Sequence, residues 1–175
     1  MTNLLAIRQA YLGKIIFRPS NMKLAACLTY MKSIAQDHED DFGLALLLAE
    51  ASHLSDYGRP VTGSVYRLID DSFVPDNLTQ ANKVDPYRNF IVPKDVPDDE
   101  LSGLFPDLSL SDIRYVRTAL ASCTSDRNEM VARAKSWLHN GQADYALMVE
   151  EDDAKLLEAK LSDLAAWGQH FALGR

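Results

Sequence analysis

The chain has 175 residues, with 18 Lys+Arg against 25 Asp+Glu, a net charge of −7 at pH 7, and hydrophobic residues make up 47% of it. This is the balance of a globular domain with a real core, and it excludes disorder over the whole chain. It also excludes collagen-like and disulfide-scaffold classes, and a sequence pI near 5.0 supplies no summed positive field to gather nucleic-acid phosphates.

In chain order, residues 4–17 carry apolar side chains at mixed spacing and predict a short helix with a strand-like end, stopped by Arg18-Pro19-Ser20. Ser20 or Asn21 caps a second helix reaching about Ala35, with Leu24, Leu28, Met31 and Ala35 on one face. The acidic run His38–Asp41 then precedes a helix over about Asp41–Tyr57. Leu44 to Ala49 wrap most of that helix's circumference, so it should lie at the centre of the bundle. Gly58 terminates it and Pro60 prevents continuation.

Between Arg59 and Pro97 prolines break the chain, and Ser64–Ile69 and Arg88–Val92 read as short strands able to pair. A one- to two-turn helix opens near Pro75-Asp76-Asn77-Leu78, and Asp98–Glu100 reads as an exposed acidic turn. Three helices follow: Ser109 or Ser111 to about Cys123, Ser125 or Asp126 to about His139 with Asn140-Gly141 as its stop, and about Glu151 to Phe171. The expected architecture is mainly α: a single-domain helical bundle, residues 1–175, with a small antiparallel β-hairpin insertion.

No apolar stretch approaches the roughly 20 residues of a membrane span, and residues 1–10 lack the pattern of a signal peptide. A cytoplasmic protein with two buried free thiols, Cys27 and Cys123, is the expectation. The four histidines, His38, His53, His139 and His170, are dispersed, so no metal or other cofactor is expected. Gly-x-Ser-x-Gly, Gly-x-Gly-x-x-Gly and Walker patterns are absent, and Asp70-Asp71 and Asp152-Asp153 read as surface charge. No catalytic residue is assigned from the sequence, and the chain is not expected to be an enzyme.

The most specific stretch is Leu46-Leu47-Leu48-Ala49-Glu50-Ala51-Ser52-His53-Leu54-Ser55-Asp56-Tyr57-Gly58-Arg59-Pro60-Val61-Thr62-Gly63. It resembles the Panacea domain, the family that includes SocA-like antitoxins. The resemblance lies in an apolar helix, a His-Leu pair at His53-Leu54, a Tyr-Gly-Arg-Pro-Val-Thr-Gly block at Tyr57–Gly63, and an aromatic strand at Val65–Ile69. Where that family carries Gly-Pro-Val-Pro, this chain reads Ser72-Phe73-Val74-Pro75, which puts in doubt the close approach that glycine permits. Leu108-Ser109-Leu110-Ser111-Asp112-Ile113 is similar to the family's helix start, and Gln142–Met148 to a weaker C-terminal segment. The match covers about residues 41–148, is strongest over Leu46–Tyr66, and leaves residues 1–40 and the last helix unaccounted for.

The resemblance implies an antitoxin-type protein that binds and neutralises a cognate toxin non-catalytically, or presents it to a protease. Acidic segments at Asp37–Asp41, Asp98–Glu100 and Glu150–Asp153 suit a basic partner. Tyr66, Phe73, Tyr87 and Phe90 read as exposed aromatic anchors, joined by His53, Tyr57, Arg59 and Arg67 around the helix exit. His53, near a helix C-terminus, is expected to favour its protonated form. The bland reading is that His53 and Arg59 tie the helix end to the β insertion. A homo-oligomer stays open.

A second class is a phage or mobile-element regulatory protein that binds DNA or a host factor, drawing on Arg114, Arg117, Arg127, Arg133 and Lys135. Asp112, Asp126 and Glu129 interrupt that basic density, which argues against nucleic acid. A hydrolase or transferase of unfamiliar type is the third class, and turnover abolished by changing His53 would mark it.

Overall fold

The computed structural model describes residues 3–93 and 95–172, with side chains to Trp167. Helix α3, Phe42–Tyr57, runs through the middle of the molecule, and its Leu44–Ala51 stretch is buried without interruption. A helix apolar on all sides must be covered on all sides. Helix α6, Leu110–Ser125, forms its principal neighbour. Helix α2, Asn21–Ile34, and helix α7, Arg127–Lys135, pack alongside, and α8, Tyr145–Met148, closes another flank. Helix α1, Leu4–Tyr11, carries helix α9, Ala154–Ala172, on its outer side. The mainly helical expectation holds.

Local chemistry accounts for the boundaries. The Ser20 side chain accepts from Lys23 N–H at 3.2 Å, opening α2 where the sequence places it. Gly58 adopts φ 67° at the end of α3, a conformation that costs glycine little, and its N–H donates to Leu54 O at 2.9 Å. Ser109 and Asp112 form a capping box at the start of α6. The predicted short helix after Pro75 is α4, Leu78–Val84. Cys27 and Cys123 are free and buried, and burial pushes both thiols up, Cys123 to about 12, so neither is poised to react.

Three expectations need correction. Arg88–Val92 is not a strand: residues 87–90 form a turn in which Phe90 N–H donates to Tyr87 O at 2.8 Å. The partner of β1, Tyr66–Ile69, is instead β2, Ser72–Pro75, in antiparallel register from Tyr66 opposite Pro75 to Ile69 opposite Ser72. The reversal is made by Asp70 and Asp71, both at positive φ, which fits the twist of a two-residue hairpin. Asn140-Gly141 likewise turns a second hairpin, between β3, Leu138–His139, and β4, Gln142–Ala143. Helix α7 therefore stops at Lys135, and β4 joins β1 to give the order β2-β1-β4-β3. Finally, Asp98–Glu100 is not a loop turn but the first turn of helix α5, Asp98–Leu104, where acids suit the positive helix end.

The sheet leans on α3 at one point of close approach. A Cβ added to Gly43 would lie 1.7 Å from Phe73 O, so only glycine lets the start of α3 meet β2. Gly43→Ala is expected to lower stability by about 3 kcal/mol through overpacking. Gly103→Ala, in α5 with open space around its Cβ position, should raise stability by about 0.5 kcal/mol. Urea unfolding of the two variants measures both shifts.

Candidate functional site: the corner at the end of the central helix

The chain leaves α3 at Gly58 and doubles back through Pro60, Val61 and Thr62 toward β1. Two buried carboxylates hold this corner. Glu50, fully buried on α3, accepts from Thr62 N–H at 3.1 Å on each oxygen and from the Tyr66 hydroxyl at 3.2 Å. The Thr62 hydroxyl also bonds Glu50 and lies 2.7 Å from the Ser64 hydroxyl. Tyr145 OH donates to Ser64 O at 2.8 Å, and Ser20 N–H to Thr62 O at 2.8 Å, so α8 and α2 fasten the same strand of chain. Burial pushes the Glu50 carboxyl up, against the pull of its Thr62 and Tyr66 donors.

Asp112 is the second carboxylate, also fully buried. Its oxygens accept from Lys23 Nζ at 2.8 Å, Arg59 at 3.1 Å and Ser109 N–H at 2.9 Å. Burial pushes this carboxyl up, but the Lys23 and Ser109 hydrogen bonds outweigh it and hold Asp112 below the usual range. Arg59 also reaches Ser109 Oγ at 3.3 Å. His53 Nδ1 lies 2.8 Å from Arg59 O, and Nε2 lies 3.0 Å from Ser111 Oγ. Tyr57 stacks on the imidazole at 4.6 Å between centroids, and Tyr115 meets it edge-on at 5.1 Å. The two motif blocks, Tyr57–Gly63 and Leu108–Ile113, therefore meet at one place although 44 residues lie between Gly63 and Leu108.

The residues singled out from the sequence divide sharply. His53, Tyr66, Phe73 and Tyr87 are interior, and Tyr66 is wholly buried. The aromatic-anchor expectation fails for Tyr66 and Phe73 because a sheet this small must bury its rings against the helices to exist at all, and for Tyr87 because its ring packs inward on Phe105 at 5.2 Å between centroids. Phe90 is partly exposed and packs on Tyr87 and Phe105. Tyr57 is 57% exposed, and the Arg59 side chain 43%. Arg67 is exposed and paired with Asp76 at 2.7 Å. His53 is not the cation expected: burial pushes its pKa below the ordinary imidazole value, outweighing the Arg59 carbonyl and the Asp112 charge. His53 ties the end of α3 to Arg59, where the chain sets off toward β1, and both residues also bond the start of α6.

Beside the corner lies a groove of about 640 Å³. Phe17, Leu54, Val149 and Leu164 line it with Tyr57, Arg59 and Trp167, and Lys160 and Asp163 contribute charge. Sequence reading missed Glu50, Asp112 and Trp167 as site residues. Glu50 carried a signal, being an acid inside the most apolar helix, which demands a buried partner. Asp112 carried one too, as the acid three residues after a cap serine. Trp167 reads only as one more apolar position on α9.

The charge clusters are partly paired within the chain, and Glu39 lies 3.5 Å from Lys32. Asp41 pairs with Arg127 at 2.6 Å, Asp98 with Arg117, Glu150 with Arg133, and Glu151 with Lys160 at 2.8 Å. Arg114 lies 3.8 Å from Asp98, and Lys135 3.3 Å from Asp71. Each of the five cations considered for DNA thus faces an acid of this chain. Among the described residues no group of three His, Cys, Asp or Glu can hold a metal, and no helix is long and apolar enough to cross a membrane. His170 lies outside the described side chains. Comparison with protein-family models, curated proteins and solved structures gives no match to this chain.

The Glu50 cluster has a pH consequence. A carboxyl raised on folding favours the folded state below its unfolded pKa, and that contribution is lost as pH rises through the folded value. The titratable groups around it are Cys27, Tyr66 and Tyr145, all pushed well above neutrality chiefly by burial. Glu50 therefore contributes a part of the unfolding free energy that declines as pH rises above the ordinary carboxyl range, while His53, with its lowered pKa, contributes a rise toward neutral pH; the difference between wild type and Glu50→Gln, followed against pH, should isolate the declining part. Glu50→Leu, which strands Thr62 N–H and Tyr66 OH, should cost about 2–4 kcal/mol.

Proposed function

We propose that this chain is an antitoxin-like protein that binds a cognate protein toxin and neutralises it without catalysis, using the corner at Tyr57–Arg59 and the adjoining groove as its contact surface. The observation that carries this reading is the meeting, at one rigidly held corner, of the two sequence blocks that resemble the Panacea domain, next to an apolar groove of about 640 Å³. A buried anchor network with an exposed aromatic rim suits protein recognition, since pre-held side chains lose little freedom on binding. The pairing of every cation between Arg114 and Lys135 named above weighs against the DNA-binding alternative. The basic-partner expectation is narrowed to the carboxylates left outside ion pairs, such as Asp99, Glu100 and Asp152.

Co-expression with the product of the neighbouring reading frame tests the proposal. That product should arrest growth alone and be relieved by this chain. Tyr57→Ala and Trp167→Ala should each weaken the complex by about 30-fold, the scale of a binding hot spot, while leaving the melting temperature within a few degrees. Arg67→Ala, on the sheet, should leave rescue intact. Full rescue by a folded Tyr57→Ala, Trp167→Ala double variant would remove the groove from the interface. Tight, salt-sensitive DNA binding would replace the reading altogether.

A further inference from the structure

With His53 neutral, the form that its burial favours, the hydrogen-bond chain at the start of α6 takes one arrangement of protons. Arg59 O is a carbonyl and only accepts, so His53 Nδ1 carries the hydrogen and donates to it at 2.8 Å. His53 Nε2 is then a bare lone pair, and the Ser111 hydroxyl, 3.0 Å away, donates to it. Ser109 Oγ, 2.9 Å from Ser111 Oγ, accepts from Asp112 N–H and Arg59, so its own hydrogen points to Ser111. A serine hydroxyl donating to a neutral imidazole whose other nitrogen is fixed by an acceptor is the arrangement of a nucleophile, its base and the group that orients the base.

From this geometry we infer that Ser111 and His53 form a reactive nucleophile–base pair able to take an acyl group from a small activated ester. Ser111 Oγ attacks the carbonyl carbon while its proton passes to His53 Nε2. Collapse of the tetrahedral adduct breaks the bond to the alcohol oxygen, which leaves with the proton from Nε2. Water then reverses the sequence: it gives a proton to Nε2 and attacks the acyl-serine, and Ser111 recovers the proton as the acid departs. Ester and water become acid and alcohol, with nothing else consumed.

The surroundings support each stage. Asp112 Oδ1 lies 3.4 Å from Nε2, placed to stabilise the imidazolium that forms. Leu110 and Ser111 stand in the first turn of α6, where backbone N–H groups lack intrahelical acceptors and suit a developing oxyanion. The charged groups about His53 are Asp112, Arg59 and Lys23, with Tyr57 and Tyr115 covering the ring. Because burial lowers the imidazole pKa, the base is free at neutral pH. Ser111 is half-buried and Ser109 exposed, so the pair is reached from the solvent side of the cap. The inference does not rest on toxin binding, and either can fail without the other.

The test is active-site labelling of the full chain with an alkyl fluorophosphonate, alongside release of nitrophenol from p-nitrophenyl acetate. Mass spectrometry should place a single adduct on Ser111. Ser111→Ala should abolish it, and His53→Gln should slow it about 100-fold. The rate on the wild-type protein should be flat above neutral pH and decline as His53 protonates below it. This profile needs no variant and therefore decides the matter even if His53→Gln does not fold. Absence of an adduct on Ser111, labelling spread evenly over exposed serines such as Ser136, or a rate that climbs continuously with pH would each overturn the inference.

Discussion

The constraint on which the rest of the structure depends is the burial of the Leu44–Ala51 stretch of α3. A helix apolar around its whole circumference can be enclosed only if neighbours pack on every side, and its chain can leave only through its ends. At the N-terminal end the approach to β2 is so close that residue 43 has no room for a side chain. At the C-terminal end the chain must reverse within a few residues and pass back over the helix, which brings backbone polar groups into the core. Each of those groups needs a partner there, because a buried donor left unpaired costs about 1–3 kcal/mol.

Glu50 and Asp112 meet that need from two elements. Glu50 projects from α3 itself and receives the returning Thr62, while Asp112 caps α6 and receives Arg59 and Lys23. One carboxyl is pushed up by burial and the other is held down by its cationic and backbone donors. The difference follows from their partners: Glu50 sees hydroxyls and an N–H, Asp112 sees a lysine and an arginine. Both make the corner stiff, and a stiff corner is what an exposed Tyr57 and a neighbouring groove require if they are to present a defined shape.

The distribution of charge takes on a different meaning in three dimensions. The acidic runs near residues 37–41, 98–100 and 150–153 stand out along the chain, yet Asp41, Asp98, Glu150 and Glu151 are each matched by a cation from another part of the fold. Exposed pairs of this kind add little to stability. Their effect is on the surface field, which is more even than the linear clustering suggests.

By itself the sequence pointed to the helical class, the centrality of α3, its stop at Gly58, and caps at Ser20 or Asn21 and at Ser109 or Ser111, of which the structure uses the first of each. These are set by contacts within a few residues or by the periodicity of apolar side chains. It also marked His53, Tyr57 and Arg59 as belonging together. Only the tertiary structure decided that β1 pairs with β2 and β4 rather than with residues 88–92, because two-residue reversals at Asp70-Asp71 and Asn140-Gly141 are resolved by the twist of the strands they join. Only it decided that Tyr66, Phe73 and Tyr87 face inward, that burial lowers the His53 pKa, and that Ser111 and Asp112 stand beside a histidine more than fifty residues away. Burial and long-range hydrogen bonding set these outcomes, and neither is a property of any short stretch of chain.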